Sequence, residues 1–232
     1  MEELQSQFTS LRKEEKYQTA YDLIKDAIRK NGKPDPELCW REAVTCRDLA
    51  LTLGKKDKKL FKHYVMEGMQ AVEEGLRLDP NNARCHCWYG IFLNYVSELE
   101  GIKKKIENSY KIREHLQKCL EREPDYEAAL HCMGRWCFEV TDLPSIQRSI
   151  AKTFFGAPPT STYEEGLTYL LKAEKCCTTP NPGNDLYLAK TYYRLKDKQN
   201  CRHYCDKVMS SPLCDSETEQ AKKEVCSIMK SL

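Results

Sequence analysis

Glycine is scarce in this chain, with 10 among 232 residues. Runs that alternate β-branched and polar residues are rare as well. Strands need that period of two, and their turns need glycine. Both shortages therefore argue against sheets and for an all-α chain. No apolar run approaches the ~20 residues of a transmembrane helix. The opening Met1-Glu2-Glu3-Leu4 is acidic and lacks the apolar segment of a signal peptide. An excess of one charge is also missing. The 37 basic and 35 acidic side chains leave a net charge of +2, which singles out neither nucleic acid nor membrane as a partner. Catalytic signatures are absent too: there is no phosphate-binding loop, Gly-x-Ser-x-Gly elbow or His-Glu-x-x-His. The histidines at positions 63, 86, 115, 131 and 203 are scattered. The expectation is a non-catalytic chain with no cofactor and no nucleic-acid partner.

What is present is apolar and charged in helical order. Hydrophobic residues make up 41% of the chain, enough for a core, and 31% are charged. The 13 cysteines are an odd number without a secretion signal, which predicts reduced thiols and a cytoplasmic location. A free cysteine packs as a small hydrophobe. Cys201-x-His203-x-Cys205 is the best metal candidate. Its cysteines also occupy small core positions of a helix, so core thiols are expected and no metal.

A repeat sets the organisation. Tyr17, Ala20, Ile24 and Ala27 follow each other in steps of three, four and three, as do Tyr163, Gly166, Leu170 and Ala173. Shorter copies are Gly68, Val72, Gly75; Ile112, Leu116, Cys119; and Cys201, Cys205, Val208. Small residues there let a second helix approach closely. Gly90 and Gly134, each ten residues after a proline, lie 44 apart. A plain tetratricopeptide repeat has a period of about 34, so about ten extra residues lengthen this unit near Glu100-Gly101. The expected helical hairpins are 2–31, 36–79, 82–123, 125–178 and 183–211, closed by a capping helix at 215–231. They would stack into one tetratricopeptide-like right-handed solenoid of antiparallel helix pairs, a single domain over 1–232. An extra helix at 144–155 interrupts the fourth hairpin. Thr160 or Ser161 is the expected N-cap of the helix that follows, with Glu164 completing a capping box.

Finer strings carry a resemblance. Cys39-Trp40-Arg41-Glu42-Ala43, Cys87-Trp88-Tyr89-Gly90, Met133-Gly134-Arg135-Trp136-Cys137-Phe138-Glu139-Val140 and Pro158-Pro159-Thr160 through Tyr163-Glu164-Glu165-Gly166 resemble the regulator of microtubule dynamics family over about residues 36–212. The resemblance implies a microtubule-associated protein of the cytoskeleton, the spindle and its poles, without catalysis. Some relatives carry an N-terminal membrane anchor and a lipid-handling repeat domain. This chain resembles the members without an anchor.

Two surfaces are candidates for partner binding. Aligning Gly90 and Gly134 with Ala43 and Ala189 turns Trp40, Val44 and Arg47 toward a groove. It turns Cys87, Ile91 and Asn94 there in the next unit, then His131, Arg135 and Phe138, then Lys190 and Tyr193. Such a groove suits an acidic extended peptide of tubulin or another spindle protein, because arginine binds carboxylates through two parallel bonds. Core packing of Trp40, Trp88 and Trp136, and arginines paired with carboxylates of the next helix, is the competing reading. The second surface is a basic edge of Lys55, Lys56, Lys58, Lys59 and Lys62 with Lys103, Lys104 and Lys105 at the next hairpin tip. It would attract the acidic microtubule surface, or else be an ordinary solvated edge. Two other functions stay open. One is a phospholipid-binding module whose apolar pocket lies under Ile146, Ile150, Phe154 and Phe155. The other is a peptide scaffold that does not touch tubulin.

Overall fold

A computed structural model describes residues 2–33, 35–54, 57–155, 159–213 and 215–232, apart from the side chains of Ile102, Phe155 and Ser216. The described residues form twelve α-helices and no strand. They fall into two units, Met1–Gly101 and Ile102–Leu232. The boundary divides the expected hairpin 82–123 at Gly101, whose φ of 96° lies in the left-handed region that glycine tolerates.

The first unit holds α1 (Glu2–Lys13), α2 (Tyr17–Asn31), α3 (Pro36–Thr52), α4 (Lys58–Leu78) and α5 (Ala83–Glu100). Helix α2 ends as the Asn31-Gly32 pair predicts. Gly32 has φ 70°, and its N–H donates to the carbonyl of Arg29. Helix α3 starts on Pro36 behind Asp35, whose carboxylate accepts from the Glu37 N–H. Helices α3 and α4 form the main hairpin, and α5 packs on both. Gly68 of α4 lies directly under the Phe92 ring of α5, so a side chain at 68 would occupy that ring's place.

Helix α1 is held to α3 by three side-chain rungs. Gln5 accepts from Arg41, Phe8 meets Trp40 edge-on at 6.3 Å, and Arg12 pairs with Asp48 at 2.6 Å. The Asp48 side chain is only 4% exposed, and Arg12 is the nearer of its two cations, with Arg47 at 3.4 Å. Arg12→Met should cost about 1–3 kcal/mol, because the buried carboxylate is left with only the longer Arg47 contact. Urea unfolding checks this against Arg29→Met, where an exposed pair with Asp26 is lost and little change is expected.

The second unit holds α6 (Ile102–Arg122), α7 (Glu127–Thr141), α8 (Ser145–Phe155), α9 (Tyr163–Cys176), α10 (Pro182–Arg194), α11 (Lys198–Met209) and α12 (Ser216–Met229). Helix α7 pairs with α9, and α10 with α11, while α12 packs on both helices of the last pair. The interrupting helix appears where the sequence places it. Arg148 of α8 donates to the carbonyls of Val140 and Thr141, capping the end of α7. The cap of α9 is a correction. Thr162, not Thr160 or Ser161, accepts from the Glu165 N–H. Glu165 is three residues beyond Thr162, so the capping spacing is met one residue later than expected. Ser161 instead donates to the Glu165 carboxylate at 2.6 Å.

The repeat positions form the core in both units. Ala20, Ile24, Val72, Leu116, Cys119, Leu170, Ala173, Cys201, Cys205 and Val208 are fully buried, and Ile112 nearly so. Tyr17, Ala27 and Tyr163 are half-buried. Burial pushes the Cys205 thiol up to about 12, as a core thiol requires. Pro158 lies outside the described residues.

Candidate functional site

In the first unit, Trp40 is 4% exposed and belongs to the core. Arg41 lies over its ring at 4.1 Å and Arg84 at 4.9 Å. Its indole N–H donates to Glu37. Arg47 is 3.4 Å from Asp48, the carboxylate that Arg12 also holds. An open trough of about 800 Å³ runs beside this ladder, lined by Gln5, Thr9, Glu37 and Arg41 among others.

In the second unit, the expected residues of α7 and α10 converge on one the sequence reading missed, Tyr187. His131 meets its ring edge-on at 6.1 Å, and Phe138 at 5.7 Å. Arg135 lies 5.5 Å and Lys190 4.9 Å from the ring centre. Tyr187 precedes Lys190 by three residues, so it shares the same helix face, and that spacing was the available signal. Tyr193 packs half-buried against the core of α10, α11 and α12 instead. His131 is tied to Asn184 at 3.1 Å.

The two cations of this cluster carry internal carboxylates. Arg135 donates from Nε to Glu139 at 2.8 Å, and the Tyr187 hydroxyl donates to the same oxygen at 2.9 Å. Lys190 pairs with Glu224 of α12 at 2.5 Å. Burial alone would raise the Glu139 carboxyl, but Arg135 outweighs it and holds the group low. Burial works against the Arg135 charge in turn, and Glu139 more than restores it. Burial raises the Tyr187 phenol, with Glu139 adding to the rise and Arg135 opposing it. Arg135 and Glu139 are still 38% and 33% exposed, so this cluster is polar and reaches solvent.

The lysines sit at helix starts. Lys58, Lys59 and Lys62 are exposed and have no carboxylate partner among the described residues. Lys55 and Lys56 lie outside the described residues. In α6, Lys103 and Lys104 are exposed and Lys105 is half-buried, its charge helping to hold Glu139 ionised. Lys104 pairs with Glu107 at 2.9 Å, and Lys103 stacks over Phe154 at 4.0 Å. Helix α8 packs on α6 with Ala151 buried. Its Ile146 and Phe154 are 74% and 55% exposed, so these two side chains face solvent rather than an enclosed pocket.

Among the described residues no helix is long and apolar enough to cross a membrane, and no three potential ligands are grouped to hold a metal. The family described as regulator of microtubule dynamics protein 1-3 matches residues 3–232. The chain belongs to that family. Regulator of microtubule dynamics protein 1 of Mus musculus is 34% identical over the whole chain and 75% of its own length. Protein 2 of Homo sapiens is 34% identical over 92% of the chain and 51% of its own length. The chain thus spans between half and three-quarters of these family members. A thermophilic TPR protein of Thermus thermophilus superposes at TM-score 0.63 with 14% identity, over 97% of this chain and 98% of that one. The pilF structure of Pseudomonas aeruginosa reaches 0.51 with 12% identity, over 99% of this chain and 84% of that one. These likenesses establish a tetratricopeptide-like helical solenoid fold for the family member described here.

Proposed function

We propose that the chain is a non-catalytic regulator that docks on the acidic surface of microtubules through its two lysine groups. One observation carries this reading: both α4 and α6 open on lysines, Lys58 and Lys59 in one and Lys103 to Lys105 in the other. A helix start already bears a positive partial charge, so cations there cost helix stability and strengthen the local field. A partner rich in carboxylates offsets that cost. The names of the relatives supply the microtubule. The groove around Tyr187 is a second contact, for an acidic segment of tubulin or of another spindle protein. On this reading the protein works at the cytoskeleton and the spindle.

Co-sedimentation of the purified chain with stabilised microtubules over a salt series tests the proposal. Saturable binding should weaken steeply with salt, because exposed charges are screened within about 10 Å at 0.1 M. Absence of pelleting at low salt overturns it and leaves a bridging scaffold that needs another protein.

A further inference from the structure

Glu224 comes from the last helix, and its carboxylate lies on Lys190. The two side chains are 34% and 24% exposed, so the pair sits at the surface beside Tyr187 and not in the core. Burial alone would raise the Glu224 carboxyl, but Lys190 by hydrogen bond and charge, Gln220 by a 3.3 Å hydrogen bond, and Arg135 by charge, hold it low. Arg135 meanwhile uses only Nε on Glu139. Its terminal nitrogens, Nη1 and Nη2, have no acceptor among the described residues, and they form the end of the guanidinium suited to a two-bond carboxylate contact.

We propose that Glu224 is a built-in competitor of the acidic segment: α12 lays on Lys190 the carboxylate that a bound glutamate of the partner otherwise supplies. The proposal rests on the reading of this groove as a site for an acidic segment. An incoming segment displaces the Glu224 carboxylate, places one of its own on Lys190, and sets a second on the free end of Arg135. Only the glutamate side chain swings. Helix α12 stays docked, because Ala221 and Val225, 2% and 0% exposed, hold it to the core of α10 and α11. Glu139 has a different part. Shared between Arg135 Nε and the Tyr187 hydroxyl, it fixes how the arginine presents its free end.

Glu224→Gln keeps the shape and removes the competing charge. The assay is fluorescence anisotropy with a labelled glutamate-rich peptide, on the full chain carrying Lys55, Lys56, Lys58, Lys59, Lys62, Lys103 and Lys104 changed to Gln. Binding then reports the groove alone. Glu224→Gln should bind about threefold to fivefold more tightly, the yield of one released ion pair at an accessible site. Glu219→Gln removes the same charge from the same helix, where Lys222 is the partner, and should stay within about twofold. Lys190→Met should lose most of the binding. An unchanged affinity for Glu224→Gln, or an equal gain for Glu219→Gln, overturns the competitor role and leaves the groove reading standing. Failure of every variant to bind overturns both.

Discussion

Gly134→Val should lower the thermal midpoint by about 4–10 °C, the largest loss of stability expected from a single change in the second unit. Glycine at 134 is a matter of space. A Cβ there would stand 2.5 Å from Leu170 Cγ and 3.0 Å from the Gly166 carbonyl oxygen. Gly166 faces back, with the Gly134 carbonyl 3.2 Å from its own would-be Cβ. Helices α7 and α9 therefore touch backbone to backbone, and no rotamer change relieves the clash. Overpacking of this kind, against backbone as well as side chain, lies at the upper end of the usual cost of about 1–3 kcal/mol. A better helix former at a helix interior returns about 1 kcal/mol at most, so the loss wins. Gly183→Ala is the control. Its Cβ would meet nothing closer than 3.4 Å, so it should stabilise by about 0.5 kcal/mol. Differential scanning calorimetry on both variants checks the opposite signs. Equal midpoints would mean that the α7–α9 contact is looser than these distances require.

The Gly134 and Gly166 contact shows why the repeat was legible in the sequence. A helix that must touch another helix closely can place only small residues at the contact, and the spacing of those residues is fixed by the 3.6-residue turn. The pattern from Gly68 to Gly75, or from Gly166 to Ala173, therefore encodes a local geometry and reads directly. The helix breaks read for the same reason, at Gly32 and at Pro36. The cluster around Tyr187 was only half legible. The spacing brought His131, Arg135, Phe138 and Lys190 to one place. It could not show Glu139 on Arg135 or Glu224 on Lys190, because the partner of a charge depends on how helices far apart in sequence are packed. Glu224 lies 34 residues beyond Lys190, and nothing local links them. Trp40 was ambiguous in the same way, since the α1 ladder of Gln5, Phe8 and Arg12 decides that it is core.

Lys58→Glu together with Lys59→Glu should raise stability and weaken microtubule binding, and the opposition of the two effects carries the argument. These lysines occupy the first turn of α4, just after the N-cap Asp57, which accepts from the N–H groups of Lys59 and Leu60. Two cations at the positive end of the helix are unfavourable, and two carboxylates there are favourable. The change should add roughly 1 kcal/mol, as each charge at a helix end is worth about 0.3–1 kcal/mol. A purely structural role for the lysines predicts a loss instead. For binding, two reversed charges at an acidic surface remove two attractions and add two repulsions. At about 0.2–1 kcal/mol each, they weaken binding about tenfold at low salt, with the difference shrinking as salt is added. Reversal of Lys103 and Lys104 should weaken binding similarly but without the gain in stability. Lys103 loses its place over the Phe154 ring, and Lys104 loses Glu107. Urea midpoints and pelleting curves on the same preparations read both effects. If binding and stability fall together, or if pelleting is unchanged, the lysines of α4 are an ordinary solvated helix start and the docking surface lies elsewhere.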